Sequence, residues 1–78
     1  MNTMVVLKNI RKTESRISAD YYPEGKEPRG FMSIRLSDGE IIEHKDADSF
    51  MAPANVLLEL ERLAKVENPP EEKTVLWY

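Results

Sequence analysis

Only one stretch of this 78-residue chain places apolar side chains at helical spacing. Leu57, Leu60, Leu63 and Ala64 recur every three or four residues, with Val56 at the edge of the same stripe. The other apolar segments alternate or form short runs, which favours a sheet with a single helix packed against it. One helix covers a stripe about 10–12 Å wide, so it can lie on only one face of such a sheet.

The limits of this helix are marked by proline. Pro53 suits the first helical position, because its φ is already helical and the amide hydrogen that it lacks would be unpaired there. The sequence therefore predicts a helix that begins at about Ala52 or Pro53. Asn68 tolerates a left-handed cap and Pro69-Pro70 cannot continue a helix, so we expect the helix to end there.

Four strand-like segments precede the helix. Met4 to about Lys12 is aliphatic before it becomes polar, and Arg16 to Tyr22 alternates in polarity. The stretch 23–30 contains two prolines and two glycines and reads as a long hairpin loop. Alternation resumes from Phe31 to Leu36, and a fourth strand runs from Ile41 to about Lys45.

Two further signals complete the predicted fold. Asp38-Gly39 lies between alternating apolar runs, which is a strong hairpin signal. The last five residues, Thr74 to Tyr78, are too apolar and aromatic for a frayed tail, so we expect a fifth strand docked on the sheet. The sequence predicts one α+β domain over residues 1–78: an antiparallel meander of about four strands, one helix on one face, and a C-terminal strand returning to the sheet.

Composition excludes several classes of function. The chain has no cysteine, which removes disulfides, cysteine-ligated zinc and thiol nucleophiles. Its longest apolar run, Met4–Leu7, is far too short for a membrane span or a signal peptide. Its three glycines, at positions 25, 30 and 39, match no phosphate-binding spacing. We therefore expect a cytoplasmic protein with no cofactor and no contact with the membrane.

Candidate catalytic and metal-binding residues gather around the only histidine. His44 has Glu43, Asp46 and Asp48 close in sequence, with Ser49 just beyond. A transition-metal site usually needs two or more histidine or cysteine ligands, and a calcium loop needs more oxygen ligands around a central glycine. Ser49 lacks a nucleophile turn and an oxyanion-hole motif. The sequence therefore predicts no metal site and no catalytic residue.

Three turn and terminus patterns carry a resemblance. The stretches Tyr21-Tyr22-Pro23-Glu24-Gly25, Ser37-Asp38-Gly39-Glu40, and Asn68-Pro69-Pro70 through Val75-Leu76-Trp77-Tyr78 resemble short uncharacterised proteins of bacteria, chiefly Gram-positive species. The resemblance extends over most of the chain. It implies a small bacterial, cytoplasmic protein and assigns no functional residue.

The leading functional prediction follows from the limited reach of one helix. Apolar and aromatic residues occur on both predicted faces of the sheet, so one face needs another cover. We expect a non-enzymatic protein-interaction module, either a homodimer or a small subunit of a complex with another protein. The predicted interface residues are large rings: Tyr22, Phe31, Trp77 and Tyr78.

Two alternatives use other residues. The net charge of −3 conceals an asymmetry, because residues 1–39 carry seven basic and five acidic groups (+2) and residues 40–78 carry four and nine (−5). A weak single-stranded nucleic-acid binder would use a basic strip in the N-terminal half, with Tyr22 and Phe31 stacking on bases. That strip comprises Lys8, Arg11, Lys12, Arg16, Arg29 and Arg35. The third alternative is an enzyme whose site forms around His44 between subunits.

Overall fold

The protein folds as a five-stranded antiparallel sheet with one helix on one face, in a computed structural model that describes residues 4–47 and 51–76. The elements are β1 (Met4–Lys12), β2 (Arg16–Pro23), β3 (Gly30–Arg35), β4 (Ile41–Lys45), α1 (Ala52–Leu63) and β5 (Lys73–Leu76). The strand order is β4-β3-β2-β1-β5, and every neighbouring pair is antiparallel. The predicted fold is confirmed, including the C-terminal strand, which returns to pair with β1.

The core lies between the helix and one face of the sheet. Alternate residues of the three central strands point to α1, as the alternation of the sequence predicts. They meet the helical stripe, in which Leu57 and Ala64 are half-buried at the margin. The buried members are Val5, Leu7, Ile10, Ile17, Ala19, Tyr21, Met32 and Ile34 from the sheet and Ala52, Val56, Leu60 and Leu63 from the helix.

The first strand contains a β-bulge that no pattern in the sequence predicts. The pairing of β1 with β2 shifts between Lys8 and Arg11, and Asn9 has φ 54°, a left-handed conformation that asparagine tolerates. On a regular strand, residues three apart point to opposite faces. Because of the bulge, Lys8 and Arg11 lie on the same face, opposite Asp20 and Ser18 of β2.

The helix is shorter than the prolines predict, because it ends at Leu63 rather than near Asn68. The backbone amides of Lys65 and Val66 donate to carbonyls three residues earlier, those of Arg62 and Leu63, so the ladder tightens into turns. Lys12 Nζ donates to the Val66 carbonyl at 2.8 Å. This bond supplies a partner for a carbonyl beyond the end of the helix.

The β3–β4 hairpin forms where Asp38-Gly39 predicts it, with a connection of five residues, 36–40. The amide of Gly39 donates to the Arg35 carbonyl, and the amide of Arg35 donates to the Glu40 carbonyl, both at 2.8 Å. Gly39 has φ 72°, which glycine adopts without steric cost. Leu36 is half-buried in the turn and packs against the core.

Gly30 is fixed by the ring of its cross-strand neighbour. Tyr21 and Gly30 are paired in the β2–β3 ladder, and a Cβ atom built at Gly30 would overlap the Tyr21 ring. The ring therefore lies directly across the glycine backbone. This contact ties the edge of the long β2–β3 loop to the largest buried side chain of the core.

We predict that Gly30→Ala lowers the free energy of unfolding by about 1–3 kcal/mol, because either the ring or the β3 backbone must move. Urea denaturation of Gly30→Ala, Tyr21→Leu and the double variant measures this. In the Tyr21→Leu background the alanine should cost about 1 kcal/mol or less, since the ring has gone. Equal costs in both backgrounds would contradict the contact.

Candidate binding face of the sheet

The face of the sheet opposite α1, here called the outer face, is the candidate site. Strand alternation puts Tyr22 of β2 and Phe31 of β3 on it, and both are half-buried. They lie on adjacent strands, because Phe31 pairs with Asp20 and Tyr22 is two residues further along β2. The structure therefore brings together two of the four rings predicted as an interface. Trp77 and Tyr78 lie outside the described residues.

One corner of the outer face is apolar. Val6 of β1 pairs with Tyr22 on one side and with Thr74 of β5 on the other, and Met4 pairs with Leu76. Met4, Val6 and Tyr22 are half-buried, while Leu76 is 56% exposed. We call these four residues, Met4, Val6, Tyr22 and Leu76, the apolar corner. It lies at the β5 edge of the sheet, where the chain continues to Trp77 and Tyr78.

The remainder of the outer face is basic. Its strand residues include five basic side chains and only two acidic ones, Asp20 and Glu43. The outer face thus carries +3, whereas the whole chain carries −3, so all other residues together carry −6. The five basic residues are Lys8, Arg11, Arg16, Arg35 and Lys45.

Two of these cations have carboxylate partners. Arg16 Nη1 lies 3.5 Å from Ser33 Oγ and 3.9 Å from Glu43 Oε1. Arg35 Nη1 donates to Asp38 Oδ2 at 2.9 Å. The backbone amide of Glu40, together with the Arg35 guanidinium, holds the pKa of Asp38 below its ordinary value. Asp38 therefore stays ionised and compensates Arg35.

The other cations surround the two rings. Lys8 Nζ lies 5.1 Å from the centre of the Tyr22 ring, a cation–π distance. Lys45 pairs with Phe31 across β3 and β4. No carboxylate of residues 4–47 and 51–76 forms an ion pair with Arg11 or Lys45. Lys45, which was not among the predicted basic residues, belongs to this set because β4 pairs in register with β3.

Phe31 borders a shallow recess in the outer face. The recess has a volume of about 370 Å³ and is lined by Asn9, Arg11, Ser18, Asp20 and Phe31. Asn9 Nδ2 donates to Asp20 Oδ2 at 2.8 Å, which holds this carboxylate on the side of the bulge. The recess thus combines one aromatic surface, one guanidinium and several hydrogen-bonding groups.

Two of the predicted basic residues do not join this face. Lys12 pairs with Ile17, a core residue, and its ammonium group binds the Val66 carbonyl on the helix side. Arg29 lies in the β2–β3 loop, where its backbone amide donates to Glu27 Oε1 at 3.1 Å. The structure brings together Lys8, Arg11, Arg16 and Arg35.

His44 lies on the helix side of the sheet, where it pairs with Met32 in the β3–β4 ladder and its ring contacts Tyr21. Tyr21 Oη and His44 Nε2 are 2.7 Å apart, and the rings stack with centroids 5.9 Å apart. The Tyr21 hydroxyl also lies 3.3 Å from the Lys45 carbonyl, to which it can donate. Burial, with a smaller contribution from nearby Asp46, raises the pKa of Tyr21 from 10.0 to about 12. The tyrosine therefore stays neutral, and the contact between Tyr21 and His44 joins the core to β4.

The Nε2 atom of His44 is therefore engaged in a hydrogen bond with a core side chain. Asp48 and Ser49 lie outside the described residues. Within the ranges 4–47 and 51–76, no group of three histidine, aspartate or glutamate side chains is placed to hold a metal ion.

We predict that Tyr21→Phe changes the alkaline stability of the protein. In the wild type the unfolded chain loses the Tyr21 proton near pH 10 and the folded chain near pH 12, so the unfolded state binds fewer protons in between. The free energy of unfolding therefore falls as pH rises through this window, by up to about 3 kcal/mol from this group. Urea denaturation at several pH values should show this contribution missing in Tyr21→Phe. An identical fall in both proteins would contradict the shift.

A second buried polar contact was not predicted. Glu59, three residues before Arg62 on α1, is only 6% exposed. Its Oε2 accepts a hydrogen bond from Lys73 Nζ at 2.6 Å, and its Oε1 lies 3.6 Å from Arg62 Nη1. Lys73 belongs to β5, so this contact joins the C-terminal strand to the helix.

We predict that Lys73→Met lowers the free energy of unfolding by about 1–3 kcal/mol, because it leaves a buried carboxylate with only a distant partner. Replacing both partners, in Lys73→Met/Glu59→Leu, should recover most of the loss. Thermal and urea denaturation measure both variants. A double variant less stable than Lys73→Met would show that the pair contributes more than its desolvation costs.

Comparisons with known proteins assign neither a family nor a function to this chain. No protein-family model matches the chain, and neither the curated proteins nor the solved structures compared with it give a match. The resemblance to short bacterial proteins therefore stays a prediction. No helix within the described part of the chain is long and apolar enough to cross a membrane.

Proposed function

We propose that this domain is a non-enzymatic protein-interaction module that binds a second copy of itself through the apolar corner. The observation that supports this proposal is the position of Met4, Val6, Tyr22 and Leu76 on the face opposite the helix. Their aliphatic and aromatic surface faces away from the only helix of the described chain. The proposal includes Trp77 and Tyr78, which follow Leu76 directly in sequence, and places the module in the cytoplasm.

Self-association through the apolar corner is more favourable than self-association through the whole outer face. If two complete outer faces packed together, a net charge of +3 on each would oppose +3 on the other, and like charges at an interface are costly. Packing restricted to the corner reduces this repulsion, because Arg16, Arg35 and Lys45 lie toward the opposite edge of the sheet. Lys8 is the cation that lies over the corner's Tyr22 ring. A small domain also gains stability from burying apolar surface between copies.

We predict that Leu76→Asp disrupts self-association, raising the dissociation constant of the dimer at least about tenfold, since a carboxylate would be buried in an apolar contact. Sedimentation velocity over a wide range of protein concentrations measures the dimer. Val6→Asp should act in the same direction, with circular dichroism confirming that each variant folds.

The matched control is Leu58→Asp. Leu58 is a helix residue and is 64% exposed, so the same Leu-to-Asp change is made on the helix side of the domain, away from the outer face. It should leave association unchanged. A wild type that remains monomeric at every concentration would overturn self-association, and equal effects of Leu76→Asp and Leu58→Asp would exclude the corner.

A further inference from the structure

The part of the outer face around Phe31 combines an aromatic ring with charged side chains on the neighbouring strands. One register row crosses four strands, with Lys8 on β1, Asp20 on β2, Phe31 on β3 and Lys45 on β4. At about 4.8 Å between strands, the row spans roughly 14 Å. A cation therefore stands at each end of a row whose middle contains an aromatic ring.

The bulge in β1 adds a third cation to this arrangement. Arg11 lines the recess beside Phe31, together with Asn9, Ser18 and Asp20. Arg11 and Lys45 have no carboxylate partner among the described residues, and Lys8 lies over a ring rather than on the Asp20 opposite it. None of these three positive charges is therefore neutralised by an ion pair within the described residues.

We propose that this surface binds single-stranded nucleic acid, with a base stacked on Phe31 and phosphates on Lys8, Arg11 and Lys45. A base is flat and apolar on its faces and carries donors and acceptors on its edges, which suits a ring beside Asn9, Ser18 and Asp20. The phosphates suit the cations, and the outer face carries +3 whereas the rest of the molecule carries −6, so a polyanion is attracted to this face. This proposal uses residues outside the apolar corner apart from the Tyr22 contact of Lys8.

The test is fluorescence anisotropy with a labelled single-stranded oligonucleotide of mixed sequence, repeated over a series of salt concentrations. Three phosphate contacts predict a slope of log K against log[salt] of about −2. Phe31→Leu, which keeps an apolar side chain but removes the ring, should weaken binding by about 5- to 100-fold with the slope unchanged. Arg11→Gln should reduce the slope by about 0.7.

Controls separate this site from general charge effects and from self-association. Arg62→Gln removes one exposed cation from the helix side and should leave affinity and slope unchanged. The measurements are repeated on Leu76→Asp, so loss of the dimer and loss of nucleic-acid binding are distinguished. Circular dichroism verifies that Phe31→Leu is folded.

Three results would overturn the proposal. The first is the absence of binding at low salt. The second is binding that Phe31→Leu leaves unchanged, because no base would then stack on the ring. The third is equal affinity for polyglutamate, which would mean that the cations recognise acidic protein segments instead of nucleic acid.

Discussion

A single helix packed on a five-stranded sheet cannot cover both faces, and the rest of this structure follows from that limit. The helix buries its stripe against Ile17, Tyr21 and Ile34 on one side. The other side keeps Tyr22, Phe31 and the apolar corner away from the helix. Among the described residues only one helix is available, so the outer face has no helix against it, and both proposed binding surfaces lie there.

The two sides of the sheet also differ in electrostatics. The outer face carries +3 on a chain of net charge −3. Its apolar and basic parts lie side by side, which supports two separate uses of one surface: contact between copies at the β5 edge and a polyanion further across. On the helix side, two pairs of polar side chains bind each other. Tyr21 binds His44, and Glu59 binds Lys73, so these titratable groups contribute to packing.

Most of the fold could be predicted from local patterns. Alternation in β2 and β3, the Pro53 signal and the Asp38-Gly39 turn each depend on residues close in sequence, and each was confirmed. The predicted end of the helix was wrong. Pro69 limits how far a helix can extend, but the turn after Leu63 depends on competing backbone bonds and on Lys12, more than fifty residues earlier in the chain.

The sequence by itself determined the element types, the one-sided helix and the presence of rings on the face opposite it, because side-chain periodicity is a local property. Only the tertiary structure decided which charges share that face. The bulge at Asn9 turns Arg11 to the side of Lys8, and the register of β4 places Lys45 beside Phe31. It also excluded Lys12 and buried Glu59 beneath Lys73. Register and bulges depend on pairing between distant segments, so no local pattern could fix them.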